Sequence, residues 1–239
     1  MALFMGVGII LTWIFSVSYV LTHLEIYSAF DFFRNLGWFA WIQFLSVGLF
    51  VTSHDACHGS AAPNYPRVNR WIGRIAAGLY AGLLFDSIIL KHSDHHAFVG
   101  SENDPDFHSV EQGHSPGFLS WMLRFFSHYL SLPQLLWMTI ASQILMHGFH
   151  FREPNVLLFW AVPSFLSAIQ LFYFGTYLPH HSRNRPFQDQ HHARNTVQPY
   201  WSSLVSCYHF GAYHHLHHLK PGLPWFRLPQ EHLRSQLKS

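Results

Sequence analysis

The sequence predicts an all-α integral membrane protein with about four transmembrane helices, further interfacial helices and a cytosolic cap that carries histidine boxes. Only 11% of its 239 residues are charged, whereas ordinary soluble domains contain about 25% charged residues. Several uncharged apolar runs are long enough to cross a hydrocarbon core about 30 Å thick. The chain also contains 21 histidines, many of them directly after an apolar run. The length suits a single domain over residues 1–239.

Four uncharged runs are the predicted transmembrane helices, and they are arranged as two helical hairpins. The runs are Met1–Thr22, Asn35–Ser53, Phe125–Phe149 and Asn155–Leu178. Helices are expected because backbone exposed to lipid must satisfy its own hydrogen bonds. Pro163 lies inside the fourth run and predicts a kink there. The first run has no basic segment before it and no clear cleavage site, so we expect it to remain as a membrane span.

A fifth apolar segment, Ile75–Leu90, is shorter and contains Asp86. A stretch of about 16 residues is too short for an ordinary crossing, which favours a re-entrant or interfacial helix. If this segment stays on one side, the four crossings place all the histidine-rich stretches that follow the apolar runs (the histidine boxes, described below) on the same side of the membrane. If it crosses, the boxes are divided between the two sides.

The distribution of cations predicts which side carries the histidines. Arg34 and Arg152 lie in the two loops opposite the boxes, and all other Lys and Arg residues lie on the histidine side. Because cytoplasmic loops carry an excess of Lys and Arg, the histidines are predicted to face the cytoplasm.

Three histidine boxes are the main functional signal, and each has the spacing of one helical turn. They are His54-x3-His58, His92-x2-His95-His96 and His214-x2-His217-His218. On a helix, His214 lies one turn from both His217 and His218, so we expect these three imidazoles to face one point. Neutral imidazole is a common ligand of iron, copper and zinc.

The number of histidines predicts two metal ions. Eight imidazoles are too many for one ion, which takes about four to six ligands. His180, at the end of the fourth run, and His209, shortly before the third box, are candidates for additional ligands. An all-imidazole shell suits iron better than magnesium or calcium, and ligand type alone leaves zinc open.

Carboxylates near the boxes are candidates for accepting hydrogen bonds from the ligand imidazoles. Asp55 and Asp94 lie within the first two boxes, and Asp104 and Asp106 follow the second box. Metal-bound histidine usually donates its other ring N–H to such a group. A solvated acidic loop is the alternative interpretation of these four residues.

Beyond the boxes, four further stretches are informative: Phe-Gly-Thr-Tyr-Leu-Pro-His at 174–180, Asp-Pro-Asp-Phe-His at 104–108, Cys-Tyr-His-Phe-Gly at 207–211 and Pro-Trp-Phe-Arg-Leu-Pro at 224–229. They resemble bacterial β-carotene ketolases, within the membrane-bound histidine-box fatty acid desaturase and hydroxylase superfamily. The boxes are specific only to the superfamily, whereas the stretches around His180 and His209 carry the resemblance to ketolases. It extends from about Val47 to Pro229.

The resemblance implies an O2-dependent oxidoreductase with a di-iron centre. Its expected reaction converts the C4 methylene of the β-ionone rings of a β-carotene-type carotenoid to a ketone. A ferredoxin-type protein is the expected electron donor, because the sequence has no Gly-rich nucleotide-binding motif. The expected location is the lipid bilayer of the bacterial cytoplasmic membrane, with Phe174 and Tyr177 lining an apolar tunnel for the substrate.

Other functions use similar features. A carotenoid hydroxylase, an alkane hydroxylase or a fatty-acyl desaturase could carry the same boxes, and the product distinguishes among these enzymes. A membrane metal transporter should carry ligands or acidic residues in mid-membrane, whereas these spans are uncharged. A net charge of only +2 argues against nucleic-acid binding, which usually needs a concentrated basic face.

Overall fold

The computed structural model describes residues 1–107, 117–182 and 186–237, and these ranges form helices and loops without a β-strand. The predicted all-α class is therefore confirmed. The helices are α1 (Ala2–His23), α2 (Ala29–Arg34), α3 (Leu36–Cys57), α4 (Pro66–Ala81), α5 (Phe85–Phe98), α6 (Phe118–Tyr129), α7 (Leu132–Gln143), α8 (Glu153–His180), α9 (Tyr200–Cys207), α10 (His214–Leu219) and α11 (Leu228–Gln236).

Three helices, α1, α3 and α8, are long and apolar enough to cross a membrane. They correspond to the first, second and fourth predicted runs. Helix α3 is the centre of the bundle and packs against α1, α4 and α8. Some of its polar side chains are paired within the bundle, as where Trp13 Nε1 donates to Ser46 Oγ at 3.1 Å.

The third predicted run, Phe125–Phe149, is not one helix, and that prediction is wrong. The chain leaves α6 after Tyr129 and starts α7 at Leu132, which continues into a π-helical turn at Ile144–Gly148. Ser131 caps α7 by accepting a hydrogen bond from the backbone N–H of Gln134. Pro133 lies in the first turn of α7, where it is tolerated, but its ring would disrupt a helix arriving from α6.

The segment predicted as one helix at Ile75–Leu90 is also divided, because α4 and α5 meet there at an angle of 99°. Gly82 ends α4 with φ +64°, and a Cβ at this position would lie 2.3 Å from Trp137 Cδ1. Gln134 Nε2 donates to the freed carbonyl of Ala81 at 3.0 Å. The pair forms either a broken span or a re-entrant loop, so the described residues contain three candidate spans, or four if the pair counts as one.

Helix α8 includes two π-helical turns, Leu157–Ala161 and Phe172–Tyr177. Pro163 follows the first of them. A proline in a regular α-helix clashes with the carbonyl four residues earlier, and a π turn widens the ladder at that point. The predicted disturbance at Pro163 thus takes the form of a π turn. The second π turn, Phe172–Tyr177, rotates the directions of the side chains that follow it in α8, including that of His180.

Candidate metal centre

Four helices bring the histidine boxes together. His54 lies in the last turn of α3 and His58 caps that helix. Helix α5 carries the second box, His180 is the last residue of α8, and α10 carries the third box. Because α3 and α8 both end at this point, the histidines lie at one end of the helical bundle.

The first cluster consists of His54, His58, His92 and His217, each of which offers a ring nitrogen within 4.8 Å of the others. The Nε2 atoms of His58 and His92 are 2.7 Å apart. His96 lies beside this cluster, with its Nε2 3.1 Å from the Nε2 atoms of both His92 and His217.

The second cluster consists of His95, His180, His214 and His218, which satisfy the same distance limit. The Nε2 atom of His214 lies 2.8 Å from that of His180 and 3.1 Å from that of His218. The two clusters are neighbours, since the ring centroids of His96 and His218 are 4.3 Å apart.

The third box divides between the clusters, so the prediction that its three imidazoles face one point is wrong. His217 belongs to the first cluster, whereas His214 and His218 belong to the second. The second box divides in the same way, with His92 in the first cluster and His95 in the second. The residues three and four positions after a given residue share its helical face but lie on either side of it, so one short helix can serve two adjacent centres.

Both clusters have the donor set of a transition-metal site. Two neutral imidazoles whose Nε2 atoms approach to 2.7 or 2.8 Å can share only one proton between them, whereas a cation between them would bind both lone pairs. Both ring nitrogens of buried His54 also have no hydrogen-bond partner among the described residues, which is rare for buried polar groups. Imidazole suits iron, copper and zinc, while magnesium and calcium prefer oxygen.

Burial favours the neutral, metal-binding form of four of these imidazoles. It lowers the pKa of His214, His217 and His218 well below the usual value of 6.5, and neighbouring imidazoles lower it further. Burial likewise lowers the pKa of His58 to about 4, with a smaller contribution from His95. These four imidazoles therefore need not lose protons before metal binds near neutral pH.

Asp104 holds the ring of His95 in place. One oxygen of its buried carboxylate lies 2.9 Å from His95 Nδ1, and the carboxylate also accepts hydrogen bonds from the backbone N–H groups of Gly100 and Asp106. Burial opposes ionisation, but the hydrogen bond with His95 lowers the pKa of Asp104 below its usual value. This contact leaves Nε2 of His95 for a metal, as in other carboxylate–histidine–metal arrangements.

Asp106 lies farther from the ring of His95 than Asp104 does. Its carboxylate is 3.9 Å from His95 Nδ1 and accepts a hydrogen bond from the Tyr129 hydroxyl. The backbone carbonyl of Asp106 accepts a hydrogen bond from Trp121 Nε1 at 2.7 Å. The predicted loop around Asp104 and Asp106 is thus a buried support of the second cluster, while His108 of the same motif lies outside the described residues.

Asp55 and Asp94 do not orient a ligand imidazole, contrary to the prediction. Asp55 accepts a hydrogen bond from the backbone N–H of Trp225 at 3.2 Å, and its other oxygen is 3.9 Å from His54 Nδ1, beyond hydrogen-bond distance. Asp94 is exposed, and its carboxylate has no hydrogen bond or ion pair within the described ranges. Each of these carboxylates is next in sequence to a box histidine, and consecutive side chains on a helix point about 100° apart. The carboxylate is therefore directed away from the imidazole beside it.

His209, predicted as an additional ligand, lies apart from both clusters. Tyr208 and His209 end α9 with positive φ angles of 48° and 63°, which turns the His209 ring away from the box that follows. Its Nδ1 atom lies 2.6 Å from Ser203 Oγ, and its ring packs 4.5 Å from that of Tyr200.

A backbone carbonyl supports the second cluster in a way that the residue types did not predict. The carbonyl of His192 accepts a hydrogen bond from His180 Nδ1 at 2.8 Å. Gly100, with φ +74°, permits the close approach of His192, since a Cβ at position 100 would lie 2.2 Å from His192 Nδ1. Every residue has a backbone carbonyl, so the type of residue 192 gives no signal for this contact.

A cavity lies against both clusters, and we call it the metal cavity. His54 and His92 of the first cluster line it together with His95 and His214 of the second. The rest of its lining is mostly apolar, with Phe50, Ile88, Phe125, Leu171, Gly175, Thr176 and Phe210, and with Asp106 and Tyr129 at one side.

The predicted substrate contacts Phe174 and Tyr177 do not line this cavity. The backbone carbonyl of Phe174 lies against Gly211, and Tyr177 packs edge-on against Phe118 and Trp121. The π-helical turn that contains both residues directs Gly175 and Thr176 to the cavity instead.

The family model described as "Fatty acid desaturase" matches residues 36–158 and 144–239. A "Beta-carotene ketolase" of Paracoccus sp. (strain PC1) is 44% identical over 193 residues, which are 80% of this chain and 76% of that protein. The protein of the same name from Paracoccus sp. (strain N81106 / MBIC 01143) is 41% identical over 191 residues, which are again 80% of this chain and 76% of that protein.

A more distant relative is the "Beta-carotene 4-ketolase" of Protosiphon botryoides, which is 37% identical over 197 residues. These residues are 79% of this chain and 49% of that protein. No solved structure matches this chain.

Proposed function

We propose that this chain, which belongs to the fatty acid desaturase family, is a β-carotene ketolase that oxidises the C4 methylene of β-ionone rings to a ketone. One observation carries the proposal: two all-imidazole clusters face a single apolar cavity. The names of the Paracoccus and Protosiphon relatives supply the substrate and the position of oxidation.

The proposed cofactor is a pair of iron ions, one held by each cluster, with His96 beside the first. Iron would supply the redox chemistry that activates O2, a role that redox-inactive zinc cannot fill. Two successive hydroxylations at C4 would each consume one O2, two electrons and two protons and release one water. The resulting geminal diol then loses water to leave the ketone.

The protein side chains orient the substrate and keep the ligands in place. Phe50, Phe125 and Phe210 offer the ring an apolar surface, which favours its transfer out of water or lipid headgroups. Asp104 and the His192 carbonyl fix the rings of His95 and His180, so the ligand nitrogens remain directed at the second centre. The C4 methylene is allylic, which makes its C–H bonds weaker than those of an ordinary methylene.

The proposed environment is the bacterial cytoplasmic membrane, with the clusters facing the cytoplasm and a ferredoxin-type protein donating electrons. Three candidate spans support membrane insertion. The meeting of the α3 and α8 ends at the clusters supports a single functional side, and the excess of Lys and Arg on that side supports the cytoplasmic orientation.

Expression in a bacterium that accumulates β-carotene tests the proposal. A product that has gained one oxygen and lost two hydrogens per ring, identified by chromatography with mass spectrometry, is the expected result. The product should disappear in the His96→Ala variant. A gain of oxygen without loss of hydrogen would reassign the chain as a hydroxylase, and unchanged β-carotene with metal-loaded protein would overturn the carotenoid assignment.

A further inference from the structure

A second hollow, which we call the elbow groove, lies beside the bend between α4 and α5. Its walls are the first turns of α5 and the junction of α6 with α7, including Leu84, Ser87, Ser131 and Pro133. Two further lining residues, Ile88 and Tyr129, also line the metal cavity. The groove and the metal cavity are therefore adjoining spaces that meet at this pair of side chains.

One face of α5 leads from the groove to the first cluster. Leu84, Ile88 and His92 are spaced by four residues, so they lie on the same face of the helix. With a rise of 1.5 Å per residue, the distance along the axis from Leu84 to His92 is about 12 Å. The groove thus ends within a short distance of the imidazoles.

Exposed leucines lie at and beside the groove, whose lining also includes the polar residues Ser87, Lys91, Ser131 and Gln134. Leu84 is 60% exposed, and Leu132 and Leu135 at the start of α7 are 68% and 51% exposed. In a protein with membrane-spanning helices, such a surface is suited to contact with lipid chains. An apolar molecule dissolved in the bilayer could enter here without crossing water.

Tyr129 is held firmly at the junction of the two spaces. Its hydroxyl donates to Asp106, and its ring stacks on Phe125 with centroids 4.6 Å apart. Lys91 Nζ lies 5.0 Å from the centre of the Tyr129 ring and donates to the carbonyl of His128. Contacts on several sides make Tyr129 a fixed wall past which a substrate must fit.

We infer that the elbow groove is the route by which a β-ionone ring leaves the bilayer and reaches the metal cavity, with Ile88 and Tyr129 as its constriction. This inference rests on the proposed function. The occupant is the ring-bearing end of the carotenoid, because the groove opens beside exposed leucines and adjoins the metal cavity, which both clusters line. It replaces the route along Phe174 and Tyr177 that the sequence suggested.

Thiol protection tests occupancy of the groove independently of turnover. The Ser87→Cys variant, in vesicles and without reductant, is treated with N-ethylmaleimide in the presence or absence of β-carotene. Leu90→Cys is the matched control, since Leu90 lies on the same helix, is 67% exposed and does not line the groove. The parent chain measures the background from Cys57 and Cys207.

We expect β-carotene to slow labelling at position 87 several-fold and to leave labelling at position 90 unchanged. Equal rates with and without β-carotene at position 87 would overturn the route. Protection by an added fatty acid, but not by β-carotene, would assign the groove to an acyl chain and would also overturn it.

An obstruction provides the kinetic test. Ser87→Trp should lower kcat/KM for β-carotene by roughly tenfold or more, with metal content unchanged, whereas Leu90→Trp should remain near the parent value. Conversion of β-carotene by Ser87→Trp at the parent rate would overturn the route while leaving the proposed function intact. Failure of the parent chain itself to convert β-carotene would overturn the proposed function and, with it, the route.

Discussion

The two histidine clusters contain the same number of imidazoles, but their surroundings differ. In the second cluster, Asp104 fixes His95 and the His192 carbonyl fixes His180. In the first cluster, both ring nitrogens of His54 have no hydrogen-bond partner among the described residues, and Asp55 is directed to Trp225. We therefore expect the second cluster to keep its geometry without metal, and the first to depend more on the ion itself.

The largest expected effect comes from removing one ligand of each cluster in turn. His217 and His218 are adjacent in α10 but belong to different clusters, so His217→Ala and His218→Ala form a matched pair. Each variant should lose the ketone product by about 100-fold or more. Each should also lose one of two bound metal equivalents, measured by elemental analysis of purified protein. Two equivalents retained in either variant would contradict the assignment.

A smaller effect is expected from removing the carboxylate that supports only the second cluster. Asp104→Asn should weaken metal binding there by about 10- to 100-fold, because the ring of His95 loses a charged hydrogen-bond acceptor. Competition with a chelator measures the affinity of each equivalent. Asp94→Asn is the control, since Asp94 is exposed. If both equivalents weaken equally in Asp104→Asn, the two clusters do not differ in the way described.

Acidification of the metal-free chain tests whether burial keeps the ligands neutral. The pKa of His58 is about 4 in the folded chain, compared with 6.5 for an ordinary histidine. Below pH 6.5 the unfolded chain therefore binds protons that the folded chain does not, and the free energy of unfolding falls as the pH decreases towards about 4.

Each such group should lower the free energy of unfolding by about 1.4 kcal/mol per pH unit within this window. Thermal unfolding in detergent between pH 7 and pH 4 measures the trend. His58→Gln, which cannot titrate, should show a weaker dependence on pH. An identical dependence in both proteins would mean that His58 does not contribute.

The smallest effect is expected at His209, which lies outside both clusters. His209→Asn should keep both metal equivalents and most of the activity, because asparagine tolerates the left-handed backbone conformation. Loss of the contact with Ser203 should cost about 1 kcal/mol of stability. Loss of one metal equivalent in this variant would return His209 to the ligand set.

The sequence alone determined the all-helical fold class and most of the histidines that form the two clusters. Long uncharged runs at 1–22, 35–53 and 155–178 became helices, since an apolar stretch of that length has few other ways to satisfy its backbone in lipid. The spacing within the boxes placed their histidines on shared helical faces. These are local properties, which depend on the chain within one or two turns.

Tertiary structure decided how those histidines were divided and what surrounds them. The separation of His217 from His214 and His218 depends on which partners α3, α5 and α8 bring to each side of α10. The roles of the His192 carbonyl and of Gly100, and the exclusion of Asp55, Asp94 and His209, depend on contacts between distant segments. Residue types and spacings do not encode such contacts directly, because they arise only when the helices pack against one another.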